Sequence, residues 1–135
     1  MEELVFQESM RISNIVSSQY RLVTKEFEYK GYIIPKGWRL VTLQRQWHLH
    51  PEVFPDPYEF NPSRFQTPKP ALTPLGMGAH LCAGNELVRV ELLTFLHHFS
   101  TKFRWDIIKD GPTEGIIFPR PYAHLPLKLT QFYRD

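Results

Sequence analysis

The sequence predicts an α+β fold that is mainly helical, with small β regions. Apolar side chains recur at helical spacing over residues 1–16 and again over residues 85–99. Short segments rich in β-branched and aromatic residues predict two β regions, at 19–43 and 103–131. The 135 residues are close to the commonest size of a single domain, and their apolar and charged content is typical of a globular protein.

The first helix, residues 1–16, is predicted from apolar residues on one face: Leu4, Val5, Ile12, Ile15 and Val16. Neither an N-cap residue nor a proline precedes Met1, so we expect the chain to begin inside an element and to be a fragment. In the β region that follows, Lys30–Gly31 and Pro35–Gly37 predict turns between short strands. A short helical turn is predicted near Gln44–His50.

Residues 51–74 are predicted to form a Pro-rich meander. Seven of the twelve prolines lie in this stretch, and proline can donate a hydrogen bond neither to a helix nor to a β ladder. Four aromatic residues favour an ordered loop because their rings need burial: Phe54, Tyr58, Phe60 and Phe65. Long ordered loops of this kind are usually functional.

The only cysteine, Cys82, lies in a glycine-rich loop, residues 75–84, directly before the second helix at 85–99. A helix start favours a thiolate because its N–H groups are unpaired and its dipole is positive there. Three glycines let this backbone bend tightly and approach a ligand: Gly76, Gly78 and Gly84. One cysteine excludes an internal disulfide and cannot build a structural zinc or iron–sulfur site, whereas haem iron takes a single axial thiolate. A small buried cysteine, or a nucleophile with His80 as its base, is the alternative.

Glu8 lies in line with the apolar face of the first helix, four residues from both Leu4 and Ile12. A carboxylate on a buried face needs cationic partners. Arg11 shares that face at spacing i, i+3, and Arg64 in the meander is the candidate second cation. A solvated surface pair is the alternative for Glu8 and Arg11.

Together, these motifs resemble the C-terminal part of a cytochrome P450, from its K helix to its C-terminus. Glu8-Ser-Met-Arg11 resembles the E-x-x-R of the K helix, and Pro62-Ser-Arg64-Phe65 resembles the P-x-R-F element whose arginine completes a structural E-R-R triad. Leu75 to Gly84 resembles the F-x-x-G-x-R-x-C-x-G loop, which makes Cys82 the proximal ligand of haem b. The resemblance covers essentially the whole chain and implies the C-terminal part of the P450 fold.

Two positions of the loop depart from the family pattern. Leu75 replaces the usual aromatic residue near the sulfur, which changes the thiolate environment. His80 replaces the usual arginine at a haem propionate, and its charge depends on pH, whereas that of arginine does not. The resemblance assigns His80 to one propionate and Arg21 to the other. An ordinary loop residue and an ordinary strand-end charge are the alternatives.

Four segments are similar in sequence to plant members that oxidise sterols, brassinosteroids, terpenoids and abscisic acid: Ile12–Ile15, Lys30–Trp38, Asn85–Leu87 and Phe95–His98. This resemblance implies a haem-thiolate monooxygenase that hydroxylates a small apolar substrate of isoprenoid type: a sterol, a terpenoid or an apocarotenoid. Oxygen would come from O2, and electrons from NADPH through NADPH-cytochrome P450 reductase. Residues Ile15–Gln19 and the turn near Pro119–His124 match positions that contact substrate in the family.

The family also sets expectations about partners and location. Arg89 and Lys102 are candidates to face the reductase, although an ordinary solvated basic face is the alternative. The net charge of +2 gives no indication of nucleic-acid binding, and the chain has neither a signal peptide nor an apolar run long enough to span a membrane. The resemblance implies a location on the cytoplasmic face of the endoplasmic reticulum, through an N-terminal anchor outside this chain.

The part of the P450 fold that this chain resembles lies after the distal helix. In the family, that helix carries the acid–alcohol pair that protonates oxygen. We therefore expect that this chain alone does not turn over substrate, and that it leaves apolar faces exposed. A truncated, inactive relative and a non-catalytic haem-binding protein are the alternatives to a segment of an active monooxygenase.

Overall fold

A computed structural model describes residues 1–66, 71–108, 113–114, 120–121 and 126–132, with the backbone alone at 113–114 and 120–121. The helices of the described residues are α1 (Glu2–Ser13), α2 (Gln44–His48) and α3 (Asn85–Lys102), with 3-10 turns at Pro62–Phe65 and Gly78–His80. The strands are β1 (Gln19–Leu22), β2 (Phe27–Tyr29), β3 (Tyr32–Ile34), β4 (Arg39–Thr42), β5 (Phe103–Ile107), β6 (Thr113–Glu114), β7 (Arg120–Pro121) and β8 (Leu127–Gln131). Helices with small two-stranded sheets confirm the predicted α+β class.

Helix α1 begins where the sequence predicts but ends at Ser13, three residues before the predicted end at residue 16. Asn14 takes the left-handed conformation, with φ 41° and ψ 51°, and its side-chain amide donates to the carbonyl of Arg11. Asparagine ends helices in this way because it tolerates that conformation and satisfies a free carbonyl. The prediction that Ile15 extends the apolar face of the helix is therefore wrong, and its side chain is 52% exposed.

The first β region consists of two antiparallel pairs. Strand β1 pairs with β4, with Tyr20 opposite Val41, and β2 pairs with β3 in a tight hairpin. The hairpin turn is the predicted Lys30–Gly31, and both residues have positive φ (51° and 81°). Turns of this kind match the twist of the flanking strands. The β1–β4 pair leads the chain directly into α2.

Helix α3 begins at Asn85 as predicted and continues to Lys102 rather than to residue 99. The longer helix accommodates Ser100 and Thr101 because both hydroxyls donate to the carbonyl of His97, at 3.3 and 2.6 Å. Part of the predicted apolar stripe, Val88, Leu96 and Phe99, is half-buried. Its other members, Leu92 and Phe95, are exposed, so the stripe is only partly covered.

The C-terminal β region holds two more antiparallel pairs. Strand β5 pairs with β8, with Trp105 opposite Leu129, and β6 pairs with β7. The predicted turn at Asp110–Gly111 lies outside the described residues. So do the side chains of the predicted substrate-contacting turn near Pro119–His124.

Helix α1 packs against both α3 and the 3-10 turn at Pro62–Phe65. The buried residues of the described part are five hydrophobic ones, Phe6, Met10, Val23, Phe54 and Phe65, and five polar ones, Glu8, Arg11, Asn14, Gln44 and His48. Buried charges need partners, so this core depends on how its polar groups are paired.

Candidate functional site

Glu8 and Arg11 form a two-pronged ion pair inside the core. Nε and Nη2 of Arg11 donate to the two carboxylate oxygens of Glu8, at 2.7 and 2.8 Å. Both side chains are completely buried. This fork geometry is among the strongest hydrogen-bonded arrangements available to a carboxylate. The solvated pair considered for these two residues is therefore wrong.

Arg64 joins the same carboxylate, with its Nε 3.2 Å from Oε1 of Glu8. The backbone N–H of Asn61 donates to that oxygen at 2.8 Å. The structure thus brings Glu8, Arg11 and Arg64 together, as the E-x-x-R and P-x-R-F motifs predict.

The two arginines also hold the meander in shape. Arg11 Nη1 donates to the carbonyls of His48 and Pro57 at 2.8 and 2.7 Å, and Arg64 Nη1 donates to Pro55 at 2.8 Å. A Pro-rich segment lacks donors to satisfy its own carbonyls. The guanidinium groups supply them, so the meander takes its shape from α1 and Arg64.

Burial by itself raises the pKa of Glu8, because it disfavours the charged form. The hydrogen bond from Arg11, the N–H of Asn61 and the positive charges of Arg11 and Arg64 outweigh burial and hold the pKa below its usual 4.5. Glu8 is therefore a carboxylate at neutral pH.

His48, at the end of α2, extends this network toward the Cys82 loop. Its ring is fully buried; Nδ1 lies 2.8 Å from Oδ1 of Asn14, and the N–H of Thr73 donates to Nε2 at 3.1 Å. Burial, reinforced by the charge of Arg11, lowers the pKa of His48 from 6.5 to about 4. The imidazole is therefore neutral at physiological pH.

The loop at 75–84 is held by its own backbone. The N–H of Cys82 donates to the carbonyl of Leu75 at 2.9 Å, and the carbonyl of Cys82 accepts from Asn85, the first residue of α3, at 3.2 Å. Cys82 is a free, exposed cysteine. The buried-cysteine alternative is therefore wrong, and the thiol is presented to the surroundings.

Two glycines of this loop have positive φ, Gly76 at 82° and Gly78 at 63°. A Cβ at Gly76 would meet the carbonyl oxygen of His80 at 3.0 Å and Nε2 of Gln19 at 3.3 Å, so glycine is required there for both conformation and space. At Gly84 a Cβ would lie 3.9 Å from Sγ of Cys82, an ordinary contact.

Arg21 and His80 line one cavity of about 510 Å³ between the β1–β4 pair, α2 and the Cys82 loop. Gln19 also lines it, and its Oε1 accepts from Nη2 of Arg21 at 2.6 Å. The cavity therefore carries the two residues that the resemblance assigns to the propionates, beside the first half of the loop. Of the stretch Ile15–Gln19, for which the resemblance implies substrate contact, Gln19 lines this cavity and Ile15 is exposed.

The candidate residues for a reductase surface lie on α3. Arg89 pairs with Glu3 of α1, with Nη2 2.9 Å from Oε2, and its side chain is 45% exposed. Its guanidinium thus serves a contact between the two helices. Lys102 ends α3 and is exposed.

The family model for "Cytochrome P450" matches residues 3–127. This chain belongs to the cytochrome P450 family. It is 45% identical over 131 residues to "Abscisic acid 8'-hydroxylase 2" of Arabidopsis thaliana, covering 93% of this chain and 27% of the relative. It is 48% identical over 109 residues to "Abscisic acid 8'-hydroxylase CYP707A1" of Solanum lycopersicum, covering 79% of this chain and 23% of that relative. The chain thus spans about a quarter of the length of these curated relatives.

Solved P450 structures share the fold. "Retinoic acid bound cyanobacterial CYP120A1" superposes with a TM-score of 0.85 at 29% identity, covering 96% of this chain and 32% of that chain. "Cytochrome P450EX alpha (CYP152N1) wild-type with myristic acid" superposes with a TM-score of 0.87 at 22% identity, covering 98% of this chain and 34% of that chain. This second likeness bears on the fold alone. The recognition of a P450 segment is confirmed.

P450 proteins bind haem b, and the donor set of this chain fits that group. A single exposed thiol is what one axial position on haem iron requires. Within the described ranges, no group of three or more His, Cys, Asp or Glu side chains could hold a bare metal ion. Arg21 and His80 supply nitrogen donors for carboxylates in the cavity beside the loop. In the part of the chain that the structure describes, no helix has the length and apolarity needed to cross a membrane.

Sequence reasoning missed His48 and Asn14. No spacing rule separates buried His48 from exposed His50 two residues later, since the partners of His48 come from distant segments. Asn14 did carry a signal, because asparagine after an apolar helical run is a recognised helix end.

Proposed function

We propose that this chain is the haem-ligating segment of a P450 monooxygenase that hydroxylates a small apolar substrate of apocarotenoid type. The observation that carries the proposal is the exposed thiol of Cys82, on a loop fixed by its own backbone beside a cavity lined by Arg21 and His80. The names of the relatives, abscisic acid 8'-hydroxylases, support the choice of substrate class.

In this proposal the thiolate of Cys82 would hold the haem iron, and the hydrogen bond from its N–H to the carbonyl of Leu75 positions the residue. When bound, haem supplies the activation of O2, aided by electron density from the thiolate. Arg21 and His80 orient the group through its carboxylates. Leu75, where the family usually has an aromatic residue, is the half-buried first residue of the loop and would alter the surroundings of the sulfur.

Glu8, Arg11 and Arg64 act structurally. They hold the meander carbonyls on α1, and the meander leads into the loop that carries Cys82. Gly76 and Gly78 give that loop its tight path through their positive φ angles, and Gly84 is the glycine beside the sulfur.

The partners follow from the same reaction. NADPH-cytochrome P450 reductase would supply electrons, and the substrate would be a small apolar molecule. A location at the cytoplasmic face of the endoplasmic reticulum membrane, anchored outside this chain, completes the proposal and is supported by the family alone.

Ligation is tested by the carbon monoxide difference spectrum of the reduced, haem-loaded protein. The red-shifted band of thiolate-ligated haem is expected, and Cys82→Ser should abolish it. Met77→Leu is the matched control, because it removes the other sulfur of the same loop, on a side chain that is 71% exposed. A red-shifted band that survives in Cys82→Ser would refute the assignment.

Substrate class is tested by supplying the haem-loaded protein with reductase, NADPH and O2. The longer protein that contains this segment should hydroxylate abscisic acid faster than a sterol, while this chain alone should give no product. Equal or preferential turnover of the sterol would contradict the apocarotenoid proposal and leave the ligation result unaffected.

A further inference from the structure

His48 has no part in the reaction proposed above, yet it occupies a central position. Among the described residues it is the histidine with a fully buried ring. One ring nitrogen contacts Asn14, 34 residues earlier, and the other contacts Thr73, 25 residues later. A single side chain thus joins the end of α1 to the segment that leads into the Cys82 loop.

The hydrogen bonds fix the tautomer of this ring. The backbone N–H of Thr73 can only donate, so Nε2 of His48 accepts and carries no proton. Nδ1 therefore carries the proton and donates to Oδ1 of Asn14 at 2.8 Å. The assignment agrees with the amide of Asn14, whose Nδ2 donates to the carbonyls of Arg11 and Ile12 and leaves its oxygen free to accept.

The contact continues through the backbone to the cysteine. The carbonyl of Thr73 accepts from the N–H of Gly76 at 3.1 Å, and the carbonyl of Leu75 accepts from the N–H of Cys82 at 2.9 Å. At its other end His48 is tied to the ion network, because its carbonyl accepts from Nη1 of Arg11 at 2.8 Å.

We propose that His48 is a positioning residue that sets the geometry of the Cys82 loop by accepting the N–H of Thr73 as a neutral, Nδ1-protonated imidazole. This inference rests on the proposed function insofar as the loop geometry matters for thiolate ligation. The charged group that faces the ring is Arg11, with Glu8 bound on the far side of its guanidinium. A positive neighbour disfavours an imidazolium and so maintains the accepting nitrogen.

A second hydrogen bond also ties α2 to the segment that leads into the Cys82 loop. Nε1 of Trp47, the residue before His48, donates to the carbonyl of Ala71 at 2.9 Å. Consecutive residues of one helix thus hold two points of the segment 71–73, one through its carbonyl and one through its N–H. The hydrogen bond of Trp47 is exposed, whereas the ring of His48 is fully buried. Loss of the His48–Thr73 hydrogen bond should therefore loosen the segment 71–73 more than loss of the Trp47–Ala71 hydrogen bond.

The experiment uses two substitutions that each keep one of the two ring contacts. In His48→Gln the amide reaches the place of Nε2 and its oxygen can accept from Thr73. In His48→Asn the amide reaches only the place of Nδ1 and can donate to Asn14, so the N–H of Thr73 loses its partner. His50→Gln and His50→Asn make the same changes at an exposed histidine two residues later.

Two readouts are taken on the haem-loaded protein: amide hydrogen exchange of residues 73–82, and the share of thiolate-ligated haem in the carbon monoxide spectrum. His48→Asn should speed exchange of this segment by roughly tenfold or more and lower the thiolate share. His48→Gln should retain both properties, and neither His50 variant should change them.

Equal behaviour of His48→Asn and His48→Gln would overturn the proposal, because a ring that merely fills space does not distinguish the two. If His48→Asn does not fold, His48→Gln decides alone: a folded Gln variant with a loosened loop overturns the proposal, and one with an unchanged loop supports it. If unaltered protein shows no thiolate band while exchange still separates the variants, the proposed function fails and the positioning role stands.

Discussion

The two long helices of this chain differ sharply in how they are covered. Helix α1 has 12 residues and buries four of them, Phe6, Glu8, Met10 and Arg11. Helix α3 has 18 residues, and none of its side chains is buried. The shorter helix, with two ionised residues in its core face, is therefore the better enclosed one.

A shortage of apolar residues in α3 does not explain why it is less buried than α1. Large hydrophobic residues of α3 remain open to solvent: Leu87, Val90, Leu92 and Phe95. Helix α1 is enclosed because the meander wraps it and its charges bind meander carbonyls. Side chains in this chain are thus buried where another segment packs on them, and apolar residues of α3 and of the Cys82 loop remain exposed.

The largest effect should come from breaking the α1 network. Glu8→Ala leaves two guanidinium groups without their carboxylate, one fully and one largely buried, so the free energy of unfolding should fall by about 3–5 kcal/mol. Urea unfolding of the protein and its variant measures the change. A loss below about 1 kcal/mol would mean that α1 is enclosed by apolar contacts alone.

The second-largest effect should be a loss of folding stability at low pH, caused by protonation of His48. His48 has a folded pKa of about 4 against 6.5, so unfolded chains bind its proton more readily between these values. Its contribution, about 3 kcal/mol, is present above pH 6.5 and is lost as the pH falls toward 4. The lowered pKa of Glu8 adds a further loss below about 4.5.

Urea unfolding at pH 7 and pH 4.5 measures the part of this acid sensitivity that comes from His48. His48→Gln cannot titrate and should flatten the dependence above pH 4.5, whereas His50→Gln should leave it intact. A steep dependence that persists in His48→Gln would assign the acid sensitivity to other groups.

The smallest effect is expected for the surface contact between the two helices. Glu3→Ala removes a salt bridge to Arg89 whose side chains are 36% and 45% exposed, and it should cost less than about 1 kcal/mol, with even less in high salt. The same Glu→Ala change is thus made at two positions of one helix. If Glu3→Ala matched Glu8→Ala, burial would not be what separates the two carboxylates.

The ion network could be predicted from sequence because the Glu8–Arg11 pair is local and Arg64, 56 residues from Glu8, lies in a motif that resembles the family's P-x-R-F element. Glu8 lies on an apolar stripe, Arg11 follows at i, i+3, and Arg64 belongs to a rigid proline motif. Which apolar residues of α3 are half-buried could not be predicted, because helical period identifies an apolar side without identifying what packs on it. Leu92 and Phe95 belong to the apolar stripe of α3 and are nevertheless exposed.

The contacts of His48 were out of reach for a different reason. Its partner in the loop is a backbone N–H, that of Thr73, which any residue except proline provides. The side chain of Asn14 contacts it across 34 residues. Neither contact is marked by a residue type or a spacing that can be recognised in a single sequence.

The reach of Arg11 has a consequence for how the length of such chains can vary. Its guanidinium binds carbonyls 37, 46 and 48 residues away, and the intervening chain contains the exposed β2–β3 hairpin. Loop-closure entropy grows so slowly with length that even a doubling costs only about 0.6 kcal/mol. Insertions at that hairpin tip are therefore cheap, whereas one residue gained or lost between Pro55 and Arg64 moves the carbonyls off the guanidinium groups. This network therefore tolerates a change of length at the β2–β3 hairpin but not between Pro55 and Arg64.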